Sequence, residues 1–476
     1  MRLSDIDWGN DSAERDPNLL QYYVTPSDYD RLLAFRKFLV IGRKGSGKSA
    51  IRRKLLSDFS SKGNHYVCDI CPTFNMVKPI LQDRQLRDNF GDELFFQYAW
   101  LRHLMAEVFS TIGSGRGGTL LTGSYAEARD FAAKRGRITA DLLETVRHVL
   151  STVKLKAGSL GELGIDAERI LREAAELDYF EYHIKQILAD GNNIVALVDD
   201  LDIGWDNSDL GNQYLLGVLL AANYLNALSA SLRVYLFLRE DIYRLLMQRT
   251  QHSDKYREIV DVRWTPAQLQ MILESRIRYS IRRRGLSAPL DLFHAVFPAQ
   301  VGVTNTMTWL ANRTLGRPRE LLQLSRLYTE GVPQSSPDVN VLKGVEERYS
   351  RWKLDDLCTE FSNQYPELRA VFEYWKVKFA RCKYSLEWHE LEEMLLDILA
   401  NLNVARPWYE AIQKEVNTRR FAEILWEIGF LGDFILGGEG GSRTIYSADV
   451  HTPRFQQVQI HQCFRKAIGT VDRIRK

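Results

Sequence analysis

The run Gly42-Arg43-Lys44-Gly45-Ser46-Gly47-Lys48-Ser49 constrains this chain more than any other feature. It fits G-x-x-x-x-G-K-[ST], a loop whose backbone N–H groups curl around a phosphate. The apolar run Phe38-Leu39-Val40-Ile41 precedes it and suits a buried strand. Ala50 to Leu56 follows with helical spacing. Strand, glycine loop and helix in that order set a helix N-terminus, with its partial positive charge, against the anion. Gly42 to Ser49, with Ala50 in the first helical turn, are therefore the candidate phosphate cradle. Lys48 would reach the β- and γ-phosphates, and Ser49 would hold Mg2+.

A length of 476 residues accommodates two or three domains. The formal net charge of +2 gives no global argument for nucleic acid or a membrane surface. Met1 to Asp7 lacks the apolar core of a signal peptide. The most membrane-like stretch, Tyr214 to Leu238, is interrupted by Asn223, Asn226, Ser229, Ser231 and Arg233, so it reads as a core helix and then a core strand. No membrane association is expected. Five scattered cysteines suit reduced thiols in a cytoplasm. Cys68 and Cys71 have C-x-x-C spacing, but they fall in an expected strand from His65 to Pro72, where residues three apart face opposite sides. Without a second Cys or His pair nearby they read as buried core thiols, not zinc ligands.

Along the chain, residues 1–36 form an N-terminal segment with an expected helix from Pro26 to Arg36. The α/β core spans 37–265, and 112–166 reads as an insertion in it. Leu94, Phe95, Tyr98, Leu101, Leu104, Met105 and Val108 predict a long helix over 86–113, ended by the glycines at Gly113, Gly115, Gly117 and Gly118. Val153 to Ile165 alternates weakly, as a small hairpin would. Glu168 to Asp190 and Leu210 to Ser229 read as helices; Asn193 to Val198 and Val234 to Leu238 read as buried strands. Strands alternating with helices predict a parallel sheet. Residues 266–332 read as a helical lid, Gly331 to Pro337 as a linker, and 343–476 as a C-terminal domain.

Binding phosphate is not hydrolysing it; that needs acid groups near the terminal phosphate. Ile194 to Val198 ends in Asp199 and Asp200. Carboxylates at the C-terminal end of a parallel strand project into the crevice where ligands bind. Asp199 would help order Mg2+, and Asp200 would orient or deprotonate the attacking water. Asp202 would hold a water or an arginine. Arg239 ends the next strand, placed either to sense the γ-phosphate or to pair with Glu240 or Asp241. Gly316, Arg317, Pro318 and Arg319 form a turn before a helix. A cation in a first helical turn is unfavourable for the dipole without an anion nearby, so Arg319 is either a phosphate contact or a solvated side chain.

These residues resemble the AAA+ ATPases, in the origin-recognition-like branch that borders the STAND signalling ATPases. The resemblance is carried by Gly42–Ser49, Leu197–Asp202, Phe237–Asp241 and Gly316–Arg319, with Asn18–Val24 and Ile460–Arg465 similar to bacterial members of that branch. It covers most of the chain outside 112–166. It implies a five-stranded P-loop sheet, a helical lid, a C-terminal winged helix, and ATP with Mg2+. It places Arg239 at the sensor 1 position, Arg319 at sensor 2, and adenine between Tyr22, Tyr23 and the turn at Pro318. It implies nucleotide-controlled assembly with itself or a partner effector, and it suggests defence against phage or mobile DNA as a setting. The sequence departs from the branch in ending the acidic strand Asp-Asp in place of Asp-Glu, which suits slow hydrolysis. No arginine finger is evident by spacing; Lys255 and Arg257 are candidates that surface charge explains equally well.

Phe421, Ile424, Leu425 and Ile428 share a helical face, followed by strands at 431–436 and 444–446 around a glycine-rich tip. That outlines a winged helix. Arg419, Arg420 and Arg443 favour DNA, while Glu423 and Glu427 would repel it. The basic run Arg276 to Arg284 either grips a phosphate backbone or is a solvated helix end. Two functions therefore stand beside each other: an ATP-dependent switch, and an ATP-dependent DNA-binding initiator or loader. A kinase built on a phosphate loop is a third, against which the long chain with its separate C-terminal domain argues.

Overall fold

The apolar run before the phosphate loop folds as β1 (Leu39–Gly42), buried along its whole length. A strand buried on both faces belongs inside a parallel sheet. β2 (His65–Ile70), β3 (Asn193–Val198), β4 (Leu232–Arg239) and β5 (Ile259–Asp261) complete that sheet in the computed structural model. It describes residues 2–72, 92–115, 122–135, 145–146, 148–149, 151–152, 167–250, 253–333, 335–437, 442–446 and 452–471. The spatial order is β2-β3-β4-β1-β5, with every pairing parallel. β4 thus lies between the phosphate-loop strand and the strand that ends in Asp199. The register pairs Gly42 with Arg239, so the loop and that arginine leave the same edge side by side.

The phosphate-loop helix α1 (Lys48–Ser60) packs against β1 to β4, where Phe59 meets Tyr235 with ring centroids 6.1 Å apart. The other side chains of the sheet, among them Leu39, Ile41, Ala196, Val198, Leu236 and Leu238, form one core with α2 (Asp92–Ser114) and α3 (Asp209–Leu228), and α4 (Glu240–Arg249) follows β4. This is a P-loop α/β sheet flanked by helices. Ser12–Val262 form one compact unit, and Met1–Asp11 with Arg263–Lys476 form a second.

Several local expectations change. The helix expected over 26–36 shrinks to Tyr29–Leu33. The helix over 168–190 divides into Ala167–Ala174 and Leu177–Ala189, parted where Glu176 takes a left-handed φ of 53°. α2 ends at Ser114, within the expected glycine cluster; Gly113 is itself still helical, and a Cβ there would stand 2.1 Å from the Ala128 carbonyl oxygen. Cys71 is exposed just beyond β2, not a core thiol, while Cys68 is buried. The hairpin expected over 153–165 lies outside the described residues, as does the start of the helix expected from 86.

In the second unit, α5 (Pro266–Arg283) opens with a capping box: Thr265 accepts from the Gln268 N–H, Gln268 returns the bond, and Pro266 occupies the first turn. α6 (Pro318–Gly331), α7 (Glu346–Glu360) and α10 (Gln462–Ile468) pack around a buried ionic cluster. There Arg317 meets Glu360 at 2.9 Å and Glu320 at 3.4 Å, and Lys353 meets Glu320 at 2.8 Å and Asp356 at 3.0 Å. Residues 368–460 add α8 (Trp388–Asn401), α9 (Thr418–Glu427) and an antiparallel sheet. β6 (Ser385–Glu387), β7 (Leu431–Ile435), β8 (Arg443–Ile445) and β9 (Gln457–Ile460) lie in it in the order β8-β7-β9-β6. The expected pair of strands after α9 is therefore half of a larger sheet.

Candidate functional site

The loop leaving β1 is shaped by its glycines. Gly45 and Gly47 have φ of 80° and 102°, values that side-chain-bearing residues rarely adopt. At Gly42 a Cβ would stand 2.4 Å from the buried Ser46 Oγ and 3.2 Å from Val262 Cβ, so the loop closes on itself only over a bare α-carbon. Gly47 caps α1, aiming the first N–H groups of that helix into the loop. Lys48 Nζ donates to the carbonyls of Gly42 at 2.9 Å and Arg43 at 3.3 Å. The amine thus sits in the concavity of the loop. Burial lowers its pKa, and the carboxylates of Asp202 and Asp199 oppose that shift. Arg43 reaches Glu240 at 3.4 Å; Lys44, Ser49 and Ala50 are partly exposed.

Asp199 and Asp200 leave the end of β3. Asp199 is 3% exposed. Burial, with the adjacent Asp200 carboxylate, pushes its carboxyl up to about 6. Asp200 takes a left-handed φ of 61°, which aspartate tolerates better than most residues. Burial raises its pKa too, against the pull of Arg52. Arg239 is buried and held twice by Asp241, at 3.1 and 2.8 Å, and approached by Asp202 at 3.6 Å. It is neither a surface side chain nor remote from the loop. The strand order brings the loop, Asp199, Asp200 and Arg239 to one edge of one sheet.

Three residues that sequence reasoning passed over join them. Arg52, on α1, is 4% exposed and faces Asp69 at 2.7 Å, Asp199 at 3.3 Å and Glu14 at 3.5 Å, with the Cys71 sulfur 2.9 Å away. Burial opposes its charge, but Asp69 and Asp199 keep it protonated. The sequence held one signal for Arg52: it follows Lys48 by four residues, one helical turn, and so shares its face. Nothing local marked Glu14 or Asp69.

The residues present fit a phosphate chain and a divalent cation. The loop offers N–H donors over bare α-carbons, the lysine is already inside it, and a buried carboxylate lies at the strand end. Among the described residues no group of three or more His, Cys, Asp or Glu side chains could hold a metal alone. A cation of the Mg2+ kind uses one or two protein ligands and completes its shell with phosphates and waters.

The other expected residues each have partners of their own. Tyr22 is buried, its hydroxyl donating to Asp16 at 2.6 Å, and Tyr23 packs on Tyr29 at 6.2 Å. Pro318 and Arg319 belong to the second unit, where Pro318 starts α6 and Arg319 faces Asp356 at 3.5 Å. In the basic run, Arg276 is buried and donates to the Trp8 carbonyl at 3.2 Å, Arg283 meets Asp7 at 3.7 Å and Arg284 meets Asp5 at 3.0 Å. Arg278 and Arg282 are exposed. Arg419 donates to the Arg454 carbonyl at 2.9 Å and lies over the Phe455 ring, and Arg420 pairs with Glu427 at 2.7 Å and Glu423 at 3.3 Å. Arg443 and Arg257 are exposed; the side chain of Lys255 lies outside the described residues. No described helix is long and apolar enough to cross a membrane.

The family described as FunZ-associated C-terminal helical domain matches residues 267–358. A putative 80.3 kDa protein of transposon gamma-delta from Escherichia coli K12 is 21% identical over 382 residues. The match takes in 76% of this chain, which spans about half, 53%, of that relative. Two solved Aeropyrum pernix structures are similar. ORC1 in complex with DNA is 14% identical with a TM-score of 0.38, over 90% of this chain and 93% of that one. ORC2, with ADPNP and ADP, is 11% identical with a TM-score of 0.40, over 92% and 95%. The sheet order and the phosphate loop establish the P-loop fold by themselves.

Proposed function

We propose that the chain is a Mg2+-dependent, ATP-binding and ATP-hydrolysing switch of the AAA+ and STAND kind. One observation carries this reading: a single sheet edge gathers the Lys48 loop, the Asp199–Asp200 strand end and Arg239, with β4 interposed between the other two strands. Lys48 would neutralise the β- and γ-phosphates; Ser49 and Asp199 would hold the cation. The cation, when bound, supplies charge neutralisation across the phosphates. Asp200 would orient the attacking water and take its proton as the β–γ bond breaks. Its carboxyl is one methylene shorter than a glutamate's, which suits slow turnover and a long-lived bound state. Arg239 would report the γ-phosphate. The output would be assembly with further copies or engagement of an effector protein. The fold of residues 368–460 supports a winged-helix reading.

DNA loading is the weaker alternative, because Arg419 and Arg420 are held by acceptors within their own fold. Calorimetric titration with Mg2+ and ATP tests the leading reading. The wild-type chain should bind, and Lys48→Ala should lose at least 100-fold, roughly the ~3 kcal/mol of a lost buried charge contact. Undiminished affinity in Lys48→Ala would remove the site assignment. The same variant bears on the setting: if the chain acts in phage defence, cells carrying Lys48→Ala should lose any protection in plating assays that wild type confers.

A further inference from the structure

β4 ends in Arg239, and the next two residues, Glu240 and Asp241, are acids in the first turn of α4. The two acids go separate ways. Glu240 turns to Arg43 of the phosphate loop at 3.4 Å and to Arg244 one turn along its own helix. Asp241 turns back onto the strand end and takes Arg239 in a two-point grip. Nε donates to Oδ1 at 3.1 Å and Nη2 to Oδ2 at 2.8 Å. A second carboxylate faces the same guanidinium. Asp202, in the turn after β3, approaches Nη1 at 3.6 Å, which is beyond hydrogen-bond length. The arginine side chain is 8% exposed, against 36% for Asp241 and 31% for Asp202. The cation is enclosed, while both anions open to water.

A planar guanidinium held at two of its nitrogens is fixed in plane as well as in position. The grip of Asp241 therefore also sets where Nη1 points. The first turn of a helix favours an anion, so α4 keeps Asp241 charged and the grip strong. Asp202 pulls on the same cation from the other side. Without Asp241, the guanidinium could turn, and attraction would close the 3.6 Å gap to a direct bond with Asp202. Arg239 would then move toward the turn after β3. β4 separates β3 from β1, so that movement leads away from the strand that carries the phosphate loop. Its charge would be neutralised inside the protein, not by a terminal phosphate.

We propose that Asp241 is a positioning residue for triphosphate discrimination: it holds Arg239 against the pull of Asp202, so that the guanidinium stays available to the terminal phosphate of a bound nucleotide. This rests on the reading of Arg239 given above. The discrimination lies between a nucleoside triphosphate and its diphosphate, which differ in the group that Arg239 would meet. Asp202 is an internal competitor for the arginine, and Asp241 is the residue that outbids it by making two bonds in place of one.

The test is the preference for ATP over ADP, as the ratio of dissociation constants from calorimetry with Mg2+. It is measured in wild type, Arg239→Ala, Asp241→Asn, Asp241→Ala, and Asp241→Ala combined with Asp202→Ala. Wild type should favour ATP, and Arg239→Ala should lower that preference. Asp241→Ala should lower it about 10-fold, the low end for loss of a charged hydrogen bond, with ADP affinity little changed. Asp241→Asn keeps one acceptor for the guanidinium and should lose less. Removing Asp202 as well should restore most of the preference, a recovery that a merely structural role of Asp241 does not produce. A full preference in Asp241→Ala, with that of Arg239→Ala reduced, would overturn the proposal and leave the sensing role of Arg239 standing. An equal loss of ADP and ATP affinity, or no recovery in the double variant, would also overturn it. No preference for ATP in wild type, or an unchanged one in Arg239→Ala, would overturn the sensing role and this proposal together. Failure of the wild-type chain to bind either nucleotide would overturn the phosphate-loop reading as well.

Discussion

Asp199 shows how one residue's surroundings set its chemistry. An ordinary aspartate titrates near 3.9, whereas burial and Asp200 push Asp199 up to about 6. Between those values the folded chain holds a proton that the unfolded chain has released. This contribution to stability is complete below about pH 4 and is lost as pH rises through about 6. Thermal unfolding of the nucleotide-free protein should therefore show a descent across that window that Asp199→Asn flattens; an identical profile in the variant would contradict the assignment. Metal binding should run the other way. It needs the ionised carboxylate, so the Mg2+-dependent gain in ATP affinity should be larger at pH 8 than at pH 5. Lys48 and Asp199 were legible in the sequence because a short motif and a strand end mark them. Arg52 was only half legible: helical spacing put it on the face of Lys48, but not beside Asp69, which is seventeen residues away in sequence.

At the scale of elements, the long apolar patterns were read well. β3 spans the expected 193–198, and α3 differs from its expected bounds by a residue at each end. β5 escaped, because three residues carry too little periodicity to register. Gly113 has a second role that the pattern did not show. It stands where α2 ends, as glycine often does, and it also lets the backbone of Ala128 approach the helix. Replacing it with alanine would gain about 1 kcal/mol of helix propensity. A Cβ 2.1 Å from a backbone oxygen costs more, because that oxygen cannot swing away as a side chain can. We expect Gly113→Ala to be destabilising by a net ~1–2 kcal/mol, read from the denaturant midpoint. Gly344→Ala, which meets nothing within 4 Å, should leave the midpoint nearly unchanged.

At the scale of the molecule, the second unit is organised around charge taken out of water. Lys353 is fully buried between Glu320 and Asp356, and Arg317 between Glu320 and Glu360. These pairs join α6 to α7, across the linker that the sequence suggested at 331–337. Such a cluster is a poor source of net stability but is costly to break on one side only. Lys353→Met should cost about 3–5 kcal/mol, seen as a lower unfolding temperature for the second unit; a change below 1 kcal/mol would show that Arg317 alone neutralises Glu320. The same long-range logic reaches into the basic run 276–284. Its pattern suited a phosphate backbone, yet Arg276, Arg283 and Arg284 serve residues 5–8 of their own chain. What the sequence by itself determined is local: the glycine loop, the aspartates that end β3 and the capped start of α5 follow from residues within a few positions of one another. What only the tertiary structure decided is which charges meet. Arg276 finds its acceptor 268 residues away, and Glu14 finds Arg52 across the N-terminal segment. No local spacing records those meetings, because the packing of the sheet and its helices creates them.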